Sequence, residues 1–350
     1  MEQRDVVVVG AGQAGLSSAW SLRRQGVDHV VLDQNPGPGG AWQHRWPSLS
    51  MQRVHGIFGL PGMRFSTPSP SERASTAVPA YFARYERSVG IDVRRPVTVT
   101  AVRPGPGRRL VVESDAGTIA ARAVVNATGT WTHPFWPRYP GQETFAGRQL
   151  HAVDYPGPEG FAGQRVVVVG GGATGIQLLV ELAEVAETTW VTRRPPVFRE
   201  EPFDQEYGRE VIARVDERVR AGQPPESVVS ATDLVWTPEL VVAREKGILR
   251  REPVFDRLDA DGVVWEARDG RPARRLDADV VLWCTGWRAA LSHLAPLQLR
   301  EPGGGIRMDG TRVVVDPRVH LVGYGPSAST VGANRAGRTA VREIRELLAA

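Results

Sequence analysis

The sequence predicts an α/β protein made of two Rossmann-like dinucleotide-binding domains, the second inserted in the first. Three observations carry this. Val6 to Val9 runs into Gly10, Gly12 and Gly15, a Gly-x-Gly-x-x-Gly pattern. Val166 to Val169 runs into Gly170, Gly172 and Gly175 in the same pattern, an offset of 160 residues. Far downstream of each copy an apolar strand ends in Thr-Gly, at Thr128-Gly129 and at Thr285-Gly286. Unbroken valine runs suit strands buried on both faces, as in a parallel sheet. The expected boundaries are 1–148 for the first part of the outer domain, 149–273 for the inserted domain and 274–350 for the return segment.

Residues 4–33 read as strand, glycine turn, helix from Gly15 to Gln25, and strand. From Asn35 to about Pro70 the composition shifts to Gly, Pro, Ser and Trp, which predicts a long ordered loop. Residues 76–89 look helical, with Tyr81, Phe82 and Tyr85 on one face. Val97 to Val102, Arg109 to Glu113 and Thr118 to Arg122 alternate like antiparallel strands, and Ala123 to Asn126 reads as a separate short buried strand. Residues 165–193 repeat the opening unit. Pro195 to about Glu239 is polar and helix-prone. Short strands are expected near Gly247 to Leu258 and Val263 to Glu266, a buried strand at Asp279 to Cys284, and an amphipathic helix at Ala340 to Leu348.

In each glycine pattern the first glycine makes the strand-to-helix turn, the second lets backbone approach a pyrophosphate, and the third lets helix pack on strand. The helix N-terminus then offers unpaired N–H groups and its positive dipole end to the phosphates. The two copies differ at the end of the next strand. Asp33 ends the first, and a carboxylate accepts from a ribose diol and repels a 2′-phosphate, so this site reads as FAD or NAD. Arg193 and Arg194 end the second, where guanidinium groups suit a 2′-phosphate, so this site reads as NADPH. Two ordinary surface arginines, with NADH as cofactor, are the alternative. For the Thr-Gly strands the alternative is plain turn punctuation. Their matching placement at the carboxyl ends of strands, where ligands bind in open α/β sheets, favours Thr128, Gly129, Thr285 and Gly286 as nucleotide contacts.

The net charge of +4 is dispersed, with no basic block, which argues against nucleic-acid binding. Lys246 is the only lysine, and the single cysteine, Cys284, excludes an internal disulfide and a Cys-x-x-Cys redox pair. No metal-ligand spacing stands out. The first strand starts within a few residues of Met1, so no leader is expected, and no apolar run approaches the ~20 residues of a membrane span. A cytoplasmic protein without membrane or nucleic-acid partners is expected. Oligomeric state is left open, a homodimer included.

The segment Phe145-Ala-Gly147-Arg-Gln-Leu-His151-Ala-Val-Asp-Tyr155 resembles the Phe-x-Gly-x-x-x-His-x-x-x-aromatic signature of class B flavin monooxygenases. That family takes in flavin-containing monooxygenases, Baeyer–Villiger monooxygenases, N-hydroxylases and the plant auxin-forming enzymes. Gly39-Gly40-Ala41-Trp42 resembles its flavin-side segment, and the likeness covers essentially the whole chain. It implies that Gly10, Gly12, Gly15 and Asp33 hold the ADP part of FAD. Gly40 and Trp42 are then expected near the flavin, the Val99 backbone near adenine, and Gly323 in a late flavin contact. A helix from about Thr330 is expected to aim its N-terminus at the flavin. Gly170, Gly172, Gly175, Arg193, Arg194, Thr285 and Gly286 are expected to hold NADPH. His151 is either a hinge or a satisfied structural histidine.

The resemblance implies an enzyme, an NADPH-dependent FAD monooxygenase. NADPH would reduce FAD, O2 would then give a C4a-(hydro)peroxyflavin, and a small-molecule substrate would be oxygenated at nitrogen, sulfur or a carbonyl carbon. The alternative is an NADPH-dependent flavoprotein reductase or oxidase passing electrons to another acceptor. The chain departs from the family in the loop Ser50 to Gly56, which has no Asn beside the flavin, and the Baeyer–Villiger Asp and long insertions are not evident. The subclass therefore stays open. Gln52, Arg53 and His55 are the polar side chains there, and His55 is the one candidate catalytic residue, with a plain surface role as its alternative. Trp42, Trp46, Phe58 and Phe65 either line an apolar substrate wall or pack under a long loop.

Overall fold

The computed structural model describes residues 1–54, 56–66, 68–201, 205–226, 231–268 and 270–349. The chain forms two compact units. One gathers Met1–Trp131, Gly208–Val228 and Ala289–Ala350, and the other Thr132–Tyr207 and Val229–Arg288.

The first unit is built on strands β1 (Glu2–Val9), β2 (His29–Leu32), β3 (Val93–Arg94), β4 (Val99–Pro104), β5 (Leu110–Ser114) and β6 (Gly117–Asn126). Its parallel path runs β3, β2, β1, β6 and then a late strand at Val319–Leu321. The run expected as two strands, Thr118–Arg122 and Ala123–Asn126, is the single strand β6. Its first half lies between β1 and antiparallel β5, and its second half between β1 and Val319–Leu321. Partners change along one strand, a pairing that alternation in the sequence does not encode.

Helices α1 (Gln13–Arg24) and α2 (Ala74–Val89) belong to this unit. Valines 6 and 8 of β1 join a core with Leu16, Leu22, Tyr81, Phe82 and Tyr85, while Val7 and Val9 face a second core on the other side of the sheet. Alternate residues of one valine run thus feed two cores, which is why the run is apolar throughout.

The second unit carries β7 (Arg148–His151), β8 (Arg165–Val169), α3 (Ala173–Leu182) and β9 (Glu187–Thr192). After two short parallel strands, β10 (Phe198–Arg199) and β11 (Leu234–Val235), come β12 (Arg251–Pro253), an antiparallel meander of β13 (Arg257–Asp259), β14 (Gly262–Trp265) and β15 (Arg274–Asp277), and β16 (Val280–Trp283). Its sheet is wholly parallel in the order β12, β9, β8, β16, β7.

The expected boundaries 1–148, 149–273 and 274–350 cut the chain differently from these units. Val280–Trp283, expected in the return segment, hydrogen-bonds between β8 and β7 in the second sheet, and 208–228 joins the first unit. The polar tetrapeptide Arg148–His151 becomes a strand only because β16 pairs with it.

The remaining elements are helix α4 (Gln205–Arg220), helix α5 (Pro238–Glu245) and a return of three strands, β17 (Met308–Asp309), β18 (Arg312–Val313) and β19 (Val319–Leu321). Helix α6 (Thr330–Ala349) starts ten residues before the patterned stretch at Ala340. Its first half buries Gly332, Ala333, Ala336 and Gly337, small residues that carry little apolar signal. Among the described residues no helix is long and apolar enough to cross a membrane, and no group of three or more His, Cys, Asp or Glu could hold a metal ion.

Candidate functional site

The two units repeat one construction. In each, the glycine strand is central, the acid- or arginine-ended strand lies on one side, and the Thr-Gly strand lies on the other. Val9 is in register with Asn126, and Val169 with Trp283, so each Thr-Gly follows its strand just beside the glycine turn. A Cβ on Gly10 (φ +99°) would stand 2.6 Å from the Ala127 carbonyl oxygen, and one on Gly170 (φ +142°) 2.2 Å from that of Cys284. Only glycine fits either place. Gly15 and Gly175 are equally constrained, with added Cβ atoms 1.8 Å and 2.9 Å from the oxygens of Gly10 and Gly170.

Gly12 differs, since nothing lies within 4 Å of an added Cβ. It opens the cradle where backbone has to approach a ligand, while its neighbours close it. Gly12 and Gly172 are the N-caps of α1 and α3, and neither helix has a side-chain cap or an acidic residue in its first turn. Their first N–H groups and positive dipole ends are left for an anion. Each cradle therefore fits a pyrophosphate.

Asp33 lies at the end of β2, 2% exposed. The Ala11 N–H donates to its Oδ2 at 2.7 Å, and the Asn35 backbone N–H and Nδ2 donate to its Oδ1 at 2.7 and 2.8 Å. The carboxylate thus clasps the glycine turn to the strand end, with lone pairs left over on both oxygens. Arg193 and Arg194 are exposed past the end of β9, and neither is in an ion pair among the described residues. Arg251, which the sequence did not single out, donates from Nε to Thr192 Oγ1 at 2.7 Å and brings a third guanidinium to the same strand end. Its signal was tertiary, because β12 pairs with β9 across some sixty residues of chain.

The threonines of the two Thr-Gly pairs do the same work. Thr128 Oγ1 donates to the Ala290 carbonyl at 2.7 Å while the Ala290 N–H donates to the Gly129 carbonyl at 2.9 Å. Thr285 Oγ1 donates to the Phe135 carbonyl at 2.5 Å while the Phe135 N–H donates to the Gly286 carbonyl at 2.9 Å. Each pair clamps the segment by which the chain enters that unit, Ala289–Ala290 or Thr132–Phe135. The hydroxyls are thereby engaged in the fold. The glycines are the open part, with no atom within 4 Å of an added Cβ at Gly129 or Gly286.

Gly40 packs against the first cradle, its added Cβ 2.9 Å from Gly12 Cα, and opens the short 3-10 helix Gly40–His44 that holds partly buried Trp42. Val99 begins β4 against the second core of its unit. Gly323 (φ +75°) donates its N–H to Ser327 Oγ at 3.0 Å, just before α6. Thr330, the first residue of α6, donates from Oγ1 to the Gly56 carbonyl at 3.1 Å, and the loop carbonyls of Phe58 and Gly59 accept from Gln13 and Asn334. His55 lies outside the described residues.

The signature segment is a packing device. Phe145 and Tyr155 are buried, and a Cβ on Gly147 would stand 2.4 Å from the Phe145 ring and 2.5 Å from the Asp279 carbonyl oxygen. Tyr155 donates to Glu181 Oε1 at 2.9 Å. His151 is fully buried and edge-on to Trp287, with ring centroids 5.2 Å apart. The Val153 N–H donates to its Nδ1 at 3.1 Å, so Nε2 carries the proton and donates to the Gly286 carbonyl at 3.1 Å. Burial holds its pKa below the ordinary histidine value. Cys284 is buried too, and burial pushes its thiol well up.

Two glycine cradles on two parallel sheets define a two-dinucleotide-binding-domain oxidoreductase fold. A profile of the pyridine nucleotide-disulphide oxidoreductase family matches residues 7–233. The chain belongs to that family and is class B flavin monooxygenase-like within it. It is 39% identical to the flavin-containing monooxygenase from Stenotrophomonas maltophilia, with a TM-score of 0.84 over 99% of both chains. Rice (Oryza sativa subsp. japonica) indole-3-pyruvate monooxygenase YUCCA1 is 32% identical over 179 residues, 50% of this chain and 44% of that protein. A Baeyer–Villiger monooxygenase of Streptomyces coelicolor is 28% identical over 208 residues, 55% of this chain and 38% of that one. The chain spans about half the length, or less, of such curated relatives. Cyclohexanone monooxygenase, at 20% identity and a TM-score of 0.65, shares the fold.

Proposed function

We propose that the protein is an NADPH-dependent FAD monooxygenase acting with O2 on a small molecule in the cytoplasm. The observation that carries this is the repeated cradle with opposite charge at its strand ends, Asp33 in one unit and Arg193-Arg194 in the other. Gly10, Gly12, Gly15, Asp33, Gly40, Trp42, Val99, Thr128, Gly129 and Gly323 would hold FAD. Gly170, Gly172, Gly175, Arg193, Arg194, Thr285 and Gly286 would hold NADPH. When bound, the cofactors supply hydride transfer and oxygen activation. The chain's own part is to seat the two phosphate backbones on the α1 and α3 N-termini, to select the 2′-phosphate, and to keep the Thr-Gly loops rigid. No residue of the chain has to move a proton for hydride transfer.

Full-length likeness to a flavin-containing monooxygenase supports oxygenation over electron transfer to a disulfide. So does the single, buried Cys284, which leaves no dithiol for disulfide exchange. Nitrogen, sulfur and carbonyl substrates are separated by assay with FAD-loaded protein, NADPH and 18O2 on a panel of amines, sulfides and ketones. NADPH use matched by labelled product is expected from at least one class. Stoichiometric hydrogen peroxide with no labelled product from any class would turn the assignment to a reductase or oxidase.

A further inference from the structure

The glycine cradle explains Trp42 only in part, and it does not explain the residue three positions on. Arg45 follows the 3-10 helix Gly40–His44, with its guanidinium carbon 5.3 Å from the Trp42 ring centroid and 4.7 Å from that of Trp131. Its Nε is sealed from solvent without a hydrogen-bond partner. No hydrogen bond or ion pair reaches the Arg45 side chain among the described residues. Burial lowers its pKa to about 10, with no carboxylate to offset it.

Two other enclosed guanidinium groups are paired. Arg95 meets Glu86 at 2.7 Å, both side chains 10% exposed, and Arg318 meets Asp316 at 2.7 Å. The nearest charged or titratable neighbour of Arg45 on its own element, His44, is turned to Asn35 Oδ1 at 2.7 Å and stacks on the far partner, Trp131, with centroids 6.4 Å apart. Asp33, the acid that acts on His44, accepts from Ala11 and Asn35.

Position adds a second argument. The helix that delivers Arg45 begins at Gly40, packed on Gly12 at the open point of the cradle. Trp131 comes two residues after Gly129, the open glycine of the Thr-Gly loop. Arg45 therefore bridges the two loops that border the first unit's ligand space. Cation–π attraction to the two indoles uses none of the guanidinium N–H donors and leaves them for an oxyanion.

We infer that Arg45, held between Trp42 and Trp131, receives an oxyanion of a bound ligand, either the diphosphate of the dinucleotide or a carboxylate of the substrate. A planar, pre-oriented fork binds either group bidentately, and the anion removes the cost of a charge enclosed without a partner. The inference rests on the flavin reading for the identity of the ligand.

Wild type, Arg45→Lys and Arg45→Met are compared in two titrations. Apoprotein is titrated with FAD by fluorescence quenching, and FAD-loaded protein is titrated with phenylacetate, and with the neutral phenylacetamide as control, by flavin difference spectra. A loss of FAD affinity of about tenfold or more in Arg45→Met, with a smaller loss in Arg45→Lys, assigns the diphosphate. Unchanged FAD affinity, with a phenylacetate response present in wild type and lost in Arg45→Met, assigns the carboxylate. Wild-type behaviour of both variants in both titrations overturns the inference and leaves the flavin reading intact. A wild-type apoprotein that binds no FAD overturns the flavin reading instead. Should Arg45→Met fail to fold, Arg45→Lys decides, because it keeps the charge and loses the planar fork. A loss of about fivefold in one titration is expected of it, and wild-type values in both would refute the inference.

Discussion

Single residues divide the two cradles by charge. The Arg193 and Arg194 guanidinium groups stand exposed past β9 with no ion pair among the described residues, as the proposed 2′-phosphate contact requires. Each charge-assisted hydrogen bond lost is worth roughly 1.5–3 kcal/mol, and each 1.4 kcal/mol is tenfold. Replacing both by alanine is therefore expected to raise the NADPH KM by about 10- to 100-fold and to leave the NADH KM nearly unchanged. Steady-state flavin reduction with both coenzymes checks this, and equal effects on the two would count against 2′-phosphate recognition. His151 gives a pH signature. Burial keeps its folded-state pKa below 6.5, so the folded protein binds fewer protons than the unfolded one as pH falls through that region. The stability this group contributes is full above that value and is lost below it. Urea midpoints measured at about pH 7.5 and about pH 5 should fall more for wild type than for His151→Gln. An equal fall would mean that His151 is not the group responsible.

Elements are positioned by close approaches as much as by apolar stripes. Helix α6 crosses α1 at Gly337, whose added Cβ would stand 2.9 Å from Ser17 Oγ and 3.0 Å from the Ser18 backbone nitrogen. Ser17 and Ser18 are fully buried there, and Ser18 donates back to the Ala14 carbonyl at 2.8 Å, which keeps its hydroxyl satisfied inside the helix pair. Gly337→Val should force the helices apart and cost about 1–3 kcal/mol in denaturant unfolding. Gly26→Ala, a substitution with open space around it, makes a poor control because of its φ of +66°. Gly12→Ala, with open space and an ordinary φ, controls for stability alone. The valine strands and α2 were legible because burial on two faces, or on one helical face, leaves a periodic record. The first half of α6 was not, since a helix packed through Gly and Ala buries little apolar surface. Strands β7 and β15 were equally silent, because short polar segments become strands only when a neighbour offers them a ladder.

The whole molecule ties distant segments into each sheet. Strand β19 completes the first sheet from near the C-terminus, and β16 joins β8 to β7 in the second. Two fragments cut near residue 160 would leave β6 without β19, α1 without α6, and β7 apart from β8 and β16. Neither fragment alone should show a cooperative thermal transition, whereas the intact chain should. A cooperative transition from the 1–160 piece would mean that its sheet is self-sufficient.

By itself the sequence determined the two cradles, their order, their opposite charges and the Thr-Gly loop beside each, because these depend on local backbone needs that only certain residues meet. A glycine at positive φ or against a carbonyl has no substitute, so it stays readable. Tertiary structure alone decided where the units divide and that β16 belongs to the second sheet. It also decided that the Thr128 and Thr285 hydroxyls clamp entering segments, and that Arg45 stands between two indoles without an acid. Those features rest on contacts between residues far apart in the chain, and such contacts leave no period or spacing behind.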